Sequence, residues 1–184
     1  MILVGLTGTH GAGKGTITTY LCTTHNFVRF SVSEFLAAEA VRRGRTPDRH
    51  VRHDIANEYR AKGPTALMEA VFATVNPNSE RVVLEPQYTV EEVQFIKNKG
   101  GTVIAVDAPL EVRYARVHVR GSTKDDVSFE DFKRAQEVEM QAVREGEQNL
   151  SAAIALADEH IVNDGTQEEL YAKVQHIVQA LVVT

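Results

Sequence analysis

Near the start of the chain, Gly8-Thr9-His10-Gly11-Ala12-Gly13-Lys14-Gly15-Thr16 gathers four glycines, a lysine and two hydroxyls into nine residues. Such a set is suited to gripping phosphate. Gly8, Gly13, Lys14 and Thr16 follow the pattern G-x-x-x-x-G-K with a threonine two places on, lying between a strand-like run and a helix-like run. The glycines let backbone N–H groups converge on anionic oxygens without Cβ collisions. The helix beginning near Lys14 adds its positive end, and the lysine can reach between the β and γ phosphates of a nucleotide. ATP with Mg²⁺ is the expected ligand pair. The residue after the lysine is Gly15, so the hydroxyl that usually ligates Mg²⁺ is absent there. Thr16 follows, to serve phosphate or to hold magnesium through water, which that ion retains readily. His10 either touches phosphate or is a tolerated loop residue.

Two carboxylates close apolar runs further along. Glu85 ends Arg81–Glu85, where it would organise Mg²⁺ through water, act as base on an acceptor hydroxyl, or simply terminate a strand. Asp107 follows Thr102–Val106 and is open to the same readings. Five arginines fall between residues 42 and 52. Arg42, Arg45 and Arg49 either clamp an anionic acceptor with bidentate guanidinium geometry or belong to a solvated helix end. His50 and His53 join this cluster while the remaining histidines are scattered, and no metal-ligand spacing recurs.

These residues need a scaffold that brings distant segments to one edge. Short β-branched runs at 2–6, 27–31, 81–85, 102–106 and 160–162 alternate with helical patterns at about 14–24, 33–43, 48–61, 64–75, 90–99, 110–120, 128–145, 147–157 and 166–182. The expected fold is therefore α/β: three αβα layers with a five-stranded parallel sheet covered on both faces. The extra helices between strands two and three, and between four and five, should sit over the carboxyl edge, where open sheets bind ligands.

A chain of 184 residues is most simply one domain. Its net charge of −5 argues against a nucleic-acid polymer as partner. The single cysteine, Cys22, fits a reducing compartment and a small core position. No apolar run is long enough for a membrane span, and the opening run is too short for a secretory signal, so a cytoplasmic location is expected.

The Gly-Lys-Gly-Thr ending resembles that of adenylate kinases and related nucleoside monophosphate kinases, and the likeness continues in order. Ser31-Val32-Ser33-Glu34 resembles that family's Ser-Thr-Gly-Asp, which opens the monophosphate-binding segment. Asp107-Ala108-Pro109-Leu110-Glu111 with Arg116 and Arg120 is similar to the Asp-x-Pro-x-Glu…Arg…Arg stretch, whose first arginine stacks on adenine and whose second contacts phosphate. Lys124-Asp125-Asp126 leading to Arg134 resembles the arm of the closing lid. Asn163-Asp164-Gly165-Thr166 resembles the loop whose backbone reads the adenine edge. A closer overall likeness is to dephospho-CoA kinase and to small adenylate-kinase-like proteins with a short lid.

The resemblance implies a P-loop kinase fold with a helical acceptor-binding insertion over 32–78 and a lid over 121–137. It implies ATP binding by residues 8–16, Arg116, Arg120, Asp164 and Gly165, and catalysis by Lys14, Arg120 and Arg134, to which the strand-end position of Glu85 adds a further catalytic candidate. Acceptor contacts would come from Ser33, Glu34, Arg42, Arg45, Arg49 and Tyr88, and magnesium contacts from Thr16 and Glu85. Three positions depart from the family: Ala37 stands where an arginine is common, Glu85-Pro86-Gln87-Tyr88 replaces Asp-Gly-x-Pro/Arg, and Thr123 replaces a lid arginine. The implied activity is transfer of the ATP γ-phosphate to a nucleoside monophosphate or similar small nucleotide. Dephospho-CoA kinase and a nucleotide-dependent switch without acceptor chemistry are the alternatives.

Overall fold

The computed structural model describes residues 1–119, 127–140 and 149–183. The elements run β1 (Ile2–Gly8), α1 (Lys14–His25), β2 (Val28–Ser31), α2 (Val32–Arg42), α3 (Arg49–Arg60), α4 (Ala66–Phe72), β3 (Arg81–Gln87), α5 (Val90–Asn98), β4 (Thr102–Asp107), α6 (Leu110–Val119), α7 (Phe129–Met140), α8 (Leu150–Ala155), β5 (Glu159–Val162) and α9 (Gln167–Val183). All strand pairings are parallel and the order is β2-β3-β1-β4-β5. The strand carrying the glycine loop is thus central, between β3 and β4, so the loops after all three strands meet at one edge.

Strand alternation divides the core in two. Leu3, Val82, Leu84 and Val103 face one way, onto a core with Leu36, Ile55, Met68, Val93 and Ile96 of α2–α5. Val4, Leu6, Val83, Ile104 and Val106 face the other, onto Ile17 and Leu21 of α1 and Leu170, Val174 and Val178 of α9. Cys22 packs at the margin of this second core, and burial raises its thiol above the ordinary value.

Three details differ from the sequence reading. The central strand runs two residues further, to Gly8. The third runs through Pro86 to Gln87, although proline lacks the N–H a ladder requires. A register shift explains this: Gly5 pairs with Leu84 but Thr7 pairs with Gln87, so two β3 residues lie opposite Leu6 alone. On the other side β2 ends at Ser31 opposite Glu85, and Pro86 faces no neighbour there. The second insertion does not stay at the carboxyl edge. Its α8 is apolar at Leu150 and Ala153, both buried, and Ala153 joins the core of Leu3, Val103 and Ile96 on the sheet face. The helical pattern read over 128–145 is α7 as far as Met140, and its remainder lies outside the described residues. Among the described residues no helix is long and apolar enough to cross a membrane.

Candidate functional site

The glycine loop leaves β1 where backbone approach is tightest. Gly8 has φ 127°, and a Cβ there would collide with the carbonyl oxygen of Val106 on β4. Gly13 caps α1 at φ 105°, with a Cβ position already filled by Nδ2 of Asn163. That amide donates to the Ala12 carbonyl at 2.8 Å and so ties the loop after β5 to the glycine loop. Gly13 has no side chain with which to cap α1, and the first turn of the helix carries no acidic residue. Its free N–H groups and positive end therefore face outward, ready for an anion.

Lys14 closes the loop upon itself. Its Nζ donates to the carbonyls of Gly8 at 2.5 Å and Thr9 at 2.9 Å. Burial pushes its pKa down to about 8, against the pull of Glu85. The ammonium is thus charged at neutral pH and held by carbonyl oxygens, for which phosphate oxygens are stronger substitutes. A cavity of about 430 Å³ opens beside it, bounded by residues 10–16, Arg116 and Val117 of α6, and Asn163, Gly165, Gln167 and Leu170. Arg116 donates to the Asn163 carbonyl at 2.9 Å, which fixes its guanidinium along the cavity wall. Asp164 points elsewhere, 3.9 Å from Lys173.

Both strand-end carboxylates are engaged. Glu85 accepts from Thr18 Oγ1 at 2.7 Å through one oxygen and from Arg29 Nε at 2.8 Å through the other. Thr18 is one helical turn beyond Lys14, so Glu85 lies under the base of the loop. Asp107 accepts from Thr9 Oγ1 at 2.5 Å and from the Ala108 N–H at 2.8 Å. Among the described residues no three His, Cys, Asp or Glu side chains are placed to cage an ion. The donor set suits a magnesium ion that keeps its waters. Thr16 on the cavity wall and Glu85 beneath the loop would meet it through them, and space beyond Gly15 is open.

Other predicted residues are distributed unevenly. Arg134 is exposed and bonded to Asp131 of its own helix. The inward face of α7 carries Phe132 instead, buried with its ring 6.0 Å from that of His10. Arg120 and Thr123 lie outside the described residues. Ser33 and Glu34 are exposed in the first turn of α2, with Glu34 bonded to Arg29. Arg42 lies at the opposite end of that helix, about 15 Å along, bonded twice to Glu39. Arg45 is bonded to Asp54, and Arg49 opens α3. The N–H of Tyr88 donates to Glu92.

Three groups escaped the sequence reading. Arg113 is buried beneath the loop, donating to the carbonyls of Ala108 at 2.7 Å and His10 at 3.3 Å. Its place three residues before Arg116, on the inner side of the same helix, was the available signal. Asn163 heads a loop singled out for its backbone, but its side chain forms the buttress. Arg60, at the end of α3, reaches the loop after β3 and had no signal in its spacing.

Residues 4–144 match a family model described as an AAA domain. The chain belongs to that AAA domain family. Relatives span its whole length: a UPF0200 protein of Pyrobaculum aerophilum is 29% identical over 97% of this chain and 98% of its own. A UPF0200 protein of Methanocaldococcus jannaschii is 28% identical over 98% and 91%. Among solved structures, shikimate kinase from Acinetobacter baumannii in complex with shikimate superposes with a TM-score of 0.67 at 16% identity, covering 98% and 94%. Shikimate kinase from Aquifex aeolicus gives 0.59 at 18%, covering 99% of both chains. At such identities the likeness concerns fold. This AAA domain family member has the fold of the small P-loop kinases.

Proposed function

We propose that the chain is an ATP-dependent phosphotransferase that moves the γ-phosphate to a nucleoside monophosphate or similar small nucleotide, with Mg²⁺ as the companion ion. One observation carries the reading: Lys14, charged and held by loop carbonyls, stands between the N-terminal end of α1 and the cavity that Arg116 borders. Catalysis of this kind asks for in-line positioning and positive charge around the transferring group rather than covalent help. Lys14 supplies that charge, with Arg120 and Arg134 as the lid's contributors once it closes. Glu85 holds Lys14 and α1 in register or organises magnesium water. The acceptor is a small molecule rather than a nucleic-acid polymer, given the net charge of −5, and the protein works in the cytoplasm.

A second reading, a nucleotide-dependent switch without acceptor chemistry, is favoured by a separate observation: Arg42, Arg43 and Arg45 of the insertion are all paired with its own carboxylates. A hydroxyl acceptor such as dephospho-CoA is the remaining alternative. The test is incubation with Mg-ATP and AMP, CMP, GMP, UMP, dTMP, dephospho-CoA or shikimate, following ADP and product, with Lys14→Ala as control. Acceptor-dependent ADP that disappears in the control supports the phosphotransferase. Tight ATP binding with no ADP from any acceptor supports the switch.

A further inference from the structure

Hydrogen bonds along the glycine loop sort its carbonyls from its amides. The carbonyls of Gly8 and Thr9 are taken by Lys14 Nζ, and that of Thr9 also by the Ala12 N–H. The His10 carbonyl accepts from Nη1 of Arg113 at 3.3 Å, and the Ala12 carbonyl from Nδ2 of Asn163 at 2.8 Å. Among the described residues no backbone oxygen takes the N–H of Gly11 or of Gly13, and both glycines line the cavity. An amide left open on a cavity wall is there for solvent or for a ligand.

The held carbonyls decide where the open amides point. A peptide unit is planar and trans, so its C=O and the N–H of the next residue face opposite sides. The His10 carbonyl therefore sets the direction of the Gly11 N–H, and the Ala12 carbonyl that of the Gly13 N–H. Arg113 draws the first carbonyl toward α6, while Asn163 draws the second toward the loop after β5. Both braces hang from the end of β4. Arg113 is buried and gives its Nε to the Ala108 carbonyl at 2.7 Å. Asn163 is buried too, and its backbone N–H donates to the Asp107 carbonyl at 2.7 Å. Each glycine fits closely against its brace. A Cβ at Gly11 would meet the Arg113 carbonyl oxygen at 2.8 Å, and one at Gly13 would fall on the Asn163 amide.

We propose that Arg113 and Asn163 are positioning residues for the β-phosphate of a bound nucleotide. By holding back the carbonyls of His10 and Ala12, they aim the N–H groups of Gly11 and Gly13 into the cavity as a pair of donors. A glycine loop of this spacing cradles the α- and β-phosphates, and a monophosphate lacks the second of these. Donors fixed in advance need no reorganisation when the anion arrives. The proposal rests on the nucleotide-binding half of the phosphotransferase reading and is indifferent to the acceptor.

The test follows the amide resonances of Gly11 and Gly13 by NMR while ADP and, separately, AMP are titrated into three proteins. These are the unaltered chain, Arg113→Lys, which keeps the charge but loses the fork that spans two carbonyls, and Asn163→Leu, which keeps the shape but has no donor. In the unaltered chain both resonances should move and saturate with ADP and respond weakly to AMP. In Arg113→Lys the Gly11 response should shrink while that of Gly13 persists, and in Asn163→Leu the reverse. Each variant should bind ADP about tenfold more weakly and AMP as before. Arg113→Met and Asn163→Ala repeat the comparison should either first variant fail to fold. Resonances unmoved by ADP overturn the proposal. Responses that shrink together in each variant, or AMP weakened as much as ADP, do so too, because they report a loosened loop rather than aimed amides. Acceptor-dependent ADP formation alongside responses that shrink together removes the positioning pair and leaves phosphotransfer standing. Reciprocal responses with no ADP formed from ATP by any acceptor retain the pair and remove phosphotransfer.

Discussion

The glycine loop and the helical insertion handle charge in opposite ways. Around the loop, recognition is built from main chain: glycines at positive φ, a helix whose N-cap is a glycine, and a lysine waiting on its own carbonyls. In the insertion, charge resides in side chains that largely neutralise one another, with Glu39, Glu58 and Asp54 matched to Arg42, Arg43 and Arg45. The first arrangement keeps its cation for a ligand, whereas the second uses Arg43 and Arg45 to fasten the end of α2 to α3 and pairs Arg42 within its own helix. Local density of arginine is therefore a poor guide to an anion site unless the neighbouring carboxylates are counted too.

The strongest way to break this contrast is Lys14→Ala. It should lower acceptor-dependent or basal ADP formation by about a hundredfold or more while leaving the melting temperature within a few degrees. Rates and calorimetry on the same preparation check both halves. Next comes Gly13→Ala, whose methyl group would meet Asn163 Nδ2 at a backbone angle that L side chains rarely adopt. It should cost about 1–3 kcal/mol and weaken ATP binding about tenfold, read by thermal shift with and without nucleotide.

A third experiment uses the proton on Lys14. Its pKa in the free protein is lowered to about 8, chiefly by burial, and bound polyphosphate would raise it. Near pH 8 ATP binding should take up about half a proton, and affinity should fall as pH rises further. Calorimetry in buffers of different ionisation enthalpy measures this, and no uptake would mean that the lysine does not meet the phosphates. In the insertion the sign reverses. Hydrogen bonds from Arg42 first, then Arg43, hold the Glu39 carboxyl at about 2, below its ordinary 4.5. Its stabilising contribution is present above pH 4.5 and disappears as pH falls toward 2. Glu39→Gln should flatten the pH dependence of melting in that window and leave ATP affinity at pH 7 unchanged.

The smallest effect is expected from Gly15→Ser. A side chain there meets no atom within 4 Å, so it should fold normally and lower the magnesium concentration needed for nucleotide binding a few-fold. Full insensitivity to magnesium in both proteins would remove the ion from this site.

The sheet and its order of helices were legible because buried parallel strands are continuous apolar runs, and Ile2–Leu6, Val82–Leu84 and Val103–Val106 are unmistakable as such. The glycine loop was legible because its chemistry is local, confined to nine consecutive residues. What escaped was long-range. Nothing near residue 60 announces that its guanidinium meets Glu92, and nothing in Asn163 announces that its amide meets Ala12 across 151 residues. The third strand was read only as far as Glu85, since the register shift against β1 that carries it through Pro86 to Gln87 arises from its pairing with a distant strand.

The Asn163 buttress has a bearing on how the protein is made. A growing chain completes the glycine loop at residue 16 and the central strands at residue 107. The amide that braces Ala12, the carbonyl that steadies Arg116 and the far wall of the cavity arrive only with residues 163–170. A nascent chain arrested at residue 144 would carry the family's matched segment but only half a nucleotide pocket. Nucleotide capture should therefore wait until residues 163–170 have been made and folded into place, so that ligand passes over chains that lack them.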